Sequence, residues 1–482
     1  MSVPELARDA SDAAATPTGS SSPRRDLRAL IMRLHFYAGI LVAPFLLIAT
    51  ISGGLYAIAP TLEQVIYRDY LHADPSGPPL PLSLQIRAAQ LARPDLTVSA
   101  VRPAAELGET TRVLFTDPSL GESERTAVFV DPTTAAPVGE TTVYGSAGAL
   151  PVRTWISQLH RHLHLGEPGR IYSELAASWL WVIALGGVYL WVRRHRTQRT
   201  RNRETPRLFT VDRTARGRAR TLSRHGAVGM WLLVGLIFLS ATGLSWSKYT
   251  GANIGELRAA LNWATPVTDS ALDSSATSAA GGHEGHGGHT GTTGDVQVLD
   301  RTIDALDAAL AVAAENEVRG RVEMSIPSTD HTAITITETR QPWAFVTDAV
   351  AVDPASKAVT DVNRFADWPL AAKLTAWGIS LHMGILFGLP SQLVLLALAL
   401  ASGVVIVGGY RMWWQRRPTR GGSRVGRPPV RGAWRQAPPA AVFAIAAVAA
   451  VVGWFVPLLG LSLLAFLVLD VAVGLLRGRT VR

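Results

Sequence analysis

Six stretches of this chain are apolar almost without interruption: 34–58, 171–192, 226–247, 391–412, 439–456 and 458–476. A helix crosses a bilayer in about 20 apolar residues, so the first four are predicted spans and the last two are candidates for a fifth and sixth, as a transmembrane hairpin. The last two are separated only by Pro457 and read as a tight pair of helices, or as one long element kinked there. Between spans one and two the pattern changes. SLQIRAAQLAR (83–93) has the period of a short amphipathic helix, while TVSAVRP, TRVLFTD and TAVFVDP alternate as strands do. The segment between spans three and four repeats the plan, with a helix in VLDRTIDALDAALAVAAEN and strands in RVEMSIP, TAITITE and DAVAVDP. FVDPTTAAPVGE and AVDPASKAVTDV are matching strand–turn–strand pieces around Asp131 and Asp353. The fold class expected is an α-helical integral membrane protein with two outward-facing α+β domains.

Charge supplies the orientation. The loop after span two holds twelve arginines between Arg193 and Arg224, and the loop after span four is also strongly basic. Positive loops stay on the cytoplasmic side, so both termini are expected inside a plasma (inner) membrane, and 60–170 and 248–380 outside. The expected layout is a disordered tail (1–29), a first span (30–59), an outer domain (60–152) and an interfacial helix with the second span (153–194). A basic loop (195–223), third span (224–248) and second outer domain (249–370) follow. An interfacial helix with the fourth span (371–414), a basic loop (415–437) and the final pair (438–476) complete it. The first apolar run has no small-residue cleavage pattern after it and reads as a retained helix. Tyr56, Trp191, Trp246, Trp413 and Trp414 sit at span ends, as an interfacial belt would have them.

The chain is an internal parallel duplication. His35 and His225 each begin H-x3-G at the head of an apolar run, and the step from one to the other is the offset of the first part of the repeat. His160 and His382 each begin H-x5-G-x-P, and each stands at the same spacing before a GG pair, at Gly186 and Gly408. The step from His160 to His382 is the longer offset of the second part, because the second outer segment carries the extra Gly-rich loop. Repeats that both start and end inside are related by a pseudo-two-fold axis along the membrane normal. That axis sets His35 opposite His225 near the cytoplasmic face, and His160 opposite His382 near the outer face.

Ionisable residues in a membrane are expensive, and duplicated ones point to function. Neutral imidazole is a common ligand for metals, haem iron included. Cysteine is absent, which excludes disulfides, Cys-ligated clusters and covalent CxxCH haem. The four histidines are thus candidate axial ligands of two haem b groups, with electrons entering at the His35–His225 haem and leaving at the His160–His382 haem. Gly39 and Gly229 follow their histidines on the same helix face and leave room for a flat ring. Arg33 and Arg224 are candidate propionate contacts. His162 and His164 compete with His160, with His164 the alternative ligand. A packing role for the duplicated histidines is the plain rival reading.

Other features carry less. His283, His286 and His289 have H-x2-H-x2-H spacing in a Gly-rich loop (281–294) and are a candidate metal site or simply a solvated linker. Asp470 in the last apolar run reads as a helix-packing contact, or as part of a proton or quinone path. His72, His195 and His331 have no repeat partner and are expected at the surface. The net charge of +9 comes from arginines beside spans, which gives no cause to expect a nucleic-acid partner. There is no GxGxxG after a strand, no P-loop and no convincing nucleophile or acid–base pair. Electrons would come from a membrane quinol or a cytoplasmic reductase.

RLHFYAGILVAPFLLIATISGGLY, LHRHLHLGEPGRIYSELAASWLWVIALGGVYLWVRR, RHGAVGMWLLVGLIFLSATGLSW and LHMGILFGLPSQLVLLALALASGVVIVGGYRMWWQRR occur in that order and resemble the PepSY-associated transmembrane helix family. The resemblance covers about residues 30–417 and implies PepSY-like outer domains. It implies an iron-regulated inner-membrane protein active in iron uptake, a haem-dependent reductase of ferric siderophores with His35, His160, His225 and His382 as haem ligands. The His-rich loop and the final pair depart from the pattern and leave a copper-linked role open. Two alternatives stand beside this. One is a non-enzymatic PepSY membrane protein that binds peptides or inhibits proteases. The other is a metal-handling (copper or zinc) membrane protein centred on the His-rich loop.

Overall fold

The computed structural model describes residues 27–202, 208–272, 293–416 and 438–479. The His-rich loop, most of the N-terminal tail and the second basic loop lie outside them. The first apolar run forms α1 (Arg28–Leu41) and α2 (Ala43–Ile66), broken at Val42. Pro44 causes the break, because it has no N–H for the carbonyl four residues back. That carbonyl, on Ile40, accepts the Tyr410 hydroxyl at 2.8 Å instead. A single turn, α3 (Arg68–Leu71), leads to α4 (Leu82–Ala92), β1 (Thr97–Arg102), β2 (Thr111–Thr116), β3 (Glu124–Val130) and β4 (Pro137–Tyr144). Then come α5 (Pro151–His162), α6 (Glu167–Asn202), α7 (Gly217–Ser245) and α8 (Tyr249–Ala260). The second half continues with α9 (Thr293–Glu315), β5 (Val322–Ser325), β6 (Ile334–Glu338), β7 (Ala349–Val352) and β8 (Val359–Asn363). Helices α10 (Leu370–His382), α11 (Leu389–Trp414), α12 (Pro439–Phe455) and α13 (Pro457–Arg479) end the chain.

Among the described residues, α2, α6, α7 and α11 are long and apolar enough to cross a membrane. They close a ring, with α2 touching α6 and α11, and α7 touching α6 and α11. The final apolar stretch is two helices that part at Pro457, where Gly453 and Gly460 pack backbone to backbone. They dock on helices of both halves: the Trp179 indole on α6 donates to Ser462 Oγ at 2.9 Å, and Asn253 Nδ2 on α8 donates to the Phe455 carbonyl at 2.9 Å. Asp470 on α13 pairs with Arg33 on α1.

The predicted strands form where expected, but not as two separate domains. One antiparallel sheet of eight strands runs β4-β3-β2-β1-β5-β6-β7-β8. The halves meet at β1 and β5 through Ala100↔Ser325 and Val101↔Met324. Joining two edge strands removes two rows of unpaired backbone groups, which explains the fusion. Helices α4 and α9 lie in contact on one face of the sheet, and Ile86 and Ala89 share a core with Ile303, Leu306, Val113 and Ile336. Asp131 and Asp353 each build the same turn, accepting from Thr133 and Ala355 backbone N–H groups at 2.8 and 2.9 Å. In each turn the residue four on, Ala135 or Lys357, is left-handed.

Glu323 on β5 ties the seam, accepting from Arg102 on β1 at 2.6 Å and Arg125 on β3 at 3.0 Å. Burial alone pushes its carboxyl up, but the two guanidinium groups outweigh that and hold it below the usual glutamate range. A lowered folded-state value means stability present at neutral pH and lost as pH falls through that value. Glu323→Gln is expected to lower stability by about 1–3 kcal/mol at pH 7. It should also flatten the acid limb of a melting-temperature profile, which thermal melts across pH will check.

Candidate functional site

The helix ring encloses a cavity of about 2130 Å³ on which His35, His160, His225 and His382 all open. A pocket for one drug-sized ligand holds about 300–1,000 Å³. The ring thus has room for more than one flat organic group.

His35 on α1 and His225 on α7 face each other with ring centres 6.4 Å apart and planes at 79°. His35 Nδ1 lies 3.0 Å from the Ile183 carbonyl, and His225 Nδ1 lies 2.9 Å from the Val405 carbonyl. A carbonyl only accepts, so Nδ1 carries the proton in both rings. The lone pair is then on Nε2, the tautomer a metal-binding histidine needs. Ile183 and Val405 are themselves repeat mates, separated by the same step as His160 and His382.

The other two histidines are held by hydroxyls. Ser52 Oγ is 3.0 Å from His160 Nδ1, and Thr242 Oγ1 is 2.6 Å from His382 Nδ1. Each hydroxyl gives its single proton to the carbonyl one turn back, Ile48 or Phe238, at 2.8 Å. It therefore accepts from imidazole Nδ1–H, and Nε2 again keeps its lone pair. Ser52 and Thr242 are repeat mates too, separated by the same step as His35 and His225.

The chain turns left-handed at Leu163 and His164, directly after α5, and this takes His164 off the helix that carries His160 and His162. His160 lines the cavity, whereas His162 and His164 do not. His164 instead packs on Trp155, with ring centres 5.0 Å apart. The glycines fall into two kinds. A Cβ on Gly39 or Gly229 would meet nothing within 4 Å, so both face open space beside the His35–His225 pair. A Cβ on Gly53 would stand 3.1 Å from His160 Cε1, and one on Gly187 would stand 3.0 Å from His35 Cε1. These two glycines let a helix pass directly behind an imidazole.

Arg33 and Arg224 are not at the cavity. Arg33 is buried, paired with Asp470 and stacked over Tyr37 at 5.4 Å, and Arg224 is exposed. Both stand close to histidines in sequence, but successive helical residues point about 100° apart. Arg28, Arg194, Arg218 and Arg416 line the arginine-rich end instead. The repeat would have found them: Arg28 and Arg218 are spaced as His35 and His225 are, and Arg194 and Arg416 as His160 and His382 are.

Two other expectations need correction. His195 is buried, because α6 continues past the span and Trp191, one turn back, covers it with ring centres 4.6 Å apart. The five aromatics expected as an interfacial belt divide: Tyr56, Trp191, Trp246 and Trp413 line the cavity, while Trp414 is exposed and does not. His72 and His331 are exposed, as expected. Among the described residues, no three histidine or carboxylate side chains converge on one point, and His283, His286 and His289 lie outside those residues.

Apolar helices ringed about a histidine-lined cavity, with an antiparallel sheet built from the intervening segments, define a multi-pass membrane protein in contact with lipid. The family model for the PepSY-associated TM region matches residues 32–416, and the chain belongs to that family. No curated protein matches the chain. The family match ends before α12 and α13.

Proposed function

We propose that the protein is a transmembrane di-haem b oxidoreductase of the plasma (inner) membrane. It passes electrons outward to a ferric siderophore or a similar metal chelate, and takes them from a quinol or a cytoplasmic reductase. The arginine-rich end is the cytoplasmic one by the positive-inside rule, and the sheet lies outside. The observation that carries the reading is the His35–His225 pair. Two metal–nitrogen bonds of about 2 Å each, with about 1 Å from each nitrogen to its ring centre, need a separation of about 6 Å. The rings stand 6.4 Å apart with both Nδ1 atoms already committed.

His35 and His225 would hold one haem, and His160 and His382 the other. Bound haem iron supplies a one-electron Fe(III)/Fe(II) couple. The chain's own residues set the conditions. The Ile183 and Val405 carbonyls and the Ser52 and Thr242 hydroxyls fix the imidazole tautomers. Gly39 and Gly229 keep the space open, and Arg28, Arg194, Arg218 and Arg416 offer charge to carboxylates at the cytoplasmic end. Hard oxygen ligands hold Fe(III) in the substrate and release it once it is reduced to Fe(II).

The test is a reduced-minus-oxidised spectrum of the purified protein, followed by coloured Fe(II)-chelate formation from a ferric chelate. A bis-histidine haem b signal at two per chain supports the reading, and a haem-free protein from haem-replete cells sinks it. Thr242→Val keeps the side-chain volume and removes the acceptor for His382. It is expected to weaken haem retention at that pair by about 10–100-fold, read by haem titration of the apoprotein.

A further inference from the structure

The two ends of the cavity differ in symmetry. At the cytoplasmic end four of the five lining arginines form two repeat-related pairs, Arg28 with Arg218 and Arg194 with Arg416, while Arg193 corresponds to Gln415. At the sheet end the lining cations do not pair in this way: Arg161 corresponds to Met383, and Lys248 corresponds to Ile58.

The backbone is asymmetric at the same place. Helix α2 continues unbroken past Ser52 to Ile66, whereas the equivalent α7 stops at Ser245 and the chain turns before α8. Glu174 on α6 makes the turn, accepting from the backbone N–H groups of Tyr249 and Thr250 at 3.0 and 2.8 Å and from the Thr250 hydroxyl at 2.7 Å. The repeat counterpart of Glu174 is Leu396, which has no such group to offer. Helix α8 then lines the cavity with Gly251, Gly255 and Ala259, and a Cβ on Gly255 would meet nothing within 4 Å. One side of the sheet end is therefore held open.

The turn after β4 lines the same cavity with Tyr144, Gly145 and Ser146. Arg161 donates to the Tyr144 hydroxyl at 2.5 Å, and Arg340 donates to Ser146 Oγ at 3.1 Å. Both arginines line the cavity, and among the described residues neither has a carboxylate within ion-pair distance. Arg170 and Lys248, also at this end, share the single carboxylate of Glu167. Two planar guanidinium groups anchored on neutral hydroxyls keep donors for a planar anionic oxygen group.

We propose that the passage between α8 and the β4 turn is the docking port for an anionic, oxygen-rich metal chelate, gripped by Arg161 and Arg340. This rests on the reductase reading and narrows its substrate to chelates of net negative charge. The test is calorimetric binding of Ga(III)–citrate, a redox-inert stand-in, to the full chain in phosphatidylcholine nanodiscs. The neutral Ga(III)–tris(hydroxypyridinone) complex is the comparison. Arg340→Gln and Arg161→Gln are each expected to weaken Ga(III)–citrate binding by about 10-fold or more, with Arg340→Lys retaining part of it. The wild type should bind the neutral complex more weakly than the anionic one. Equal affinities for the two complexes, or indifference of Ga(III)–citrate binding to both glutamine variants, would overturn the port. So would loss of wild-type binding when phosphatidylglycerol replaces part of the phosphatidylcholine, because the arginines would then be lipid ligands. Gallium binding needs no electron transfer, so a failure here is distinct from absence of haem in the spectrum.

Discussion

His35→Ala and His225→Ala are expected to give the same spectrum, with one haem lost and the other kept. His160→Ala and His382→Ala should give the complementary one. Within a pair, the double variant should lose no more than either single variant, because one missing ligand already opens the site. Across pairs the losses should add, as they do for distant independent sites. Ferric-chelate reduction should fall by more than about 100-fold in every single variant, beyond the 10–100-fold that removal of a supporting partner costs. The pattern is the discriminating part. A histidine kept only for packing would change stability without sorting the four variants into two spectral classes. Difference spectra with pyridine haemochrome quantitation, run beside thermal melts, read both quantities on the same samples. Four variants with full haem content would remove the assignment of these residues.

Gly39→Leu should separate stability from cofactor binding in the opposite way. A leucine in a helix is favoured over glycine by about 1 kcal/mol, and the Cβ at this position meets no atom within 4 Å. The apoprotein should therefore be as stable as the wild type or more so. The added side chain projects into the space beside the His35–His225 pair, where a flat ring would lie. Loss of the haem at that pair is expected, with the His160–His382 haem retained. Gly229→Leu should do the same from the other half. If these glycines serve only helix packing, either substitution would destabilise the protein and leave haem content per folded molecule unchanged. Haem stoichiometry against melting temperature for the two variants decides between these outcomes.

Local pattern carried most of this architecture. The four long spans, the strand–turn–strand pieces and the two repeat offsets are all visible along the chain, because apolar period and turn chemistry are properties of neighbouring residues. The same offsets mark Ser52 with Thr242, Ile183 with Val405, and Arg28 with Arg218, though only tertiary contact shows why they matter. Adjacency misled where it stood in for geometry. Arg33 lies just ahead of His35 on the same helix, yet it points toward Asp470 on the last helix of the chain.

The sequence by itself determined a membrane chain with two kinds of histidine at matched spacings. Tertiary structure alone decided that the two predicted outer domains are one sheet, that His160 and not His162 or His164 faces the cavity, and which ring nitrogen is left to bind. The physical reason is distance along the chain. A histidine's tautomer is set by whatever its Nδ1 meets, and for His35 and His225 that is a carbonyl 148 and 180 residues away.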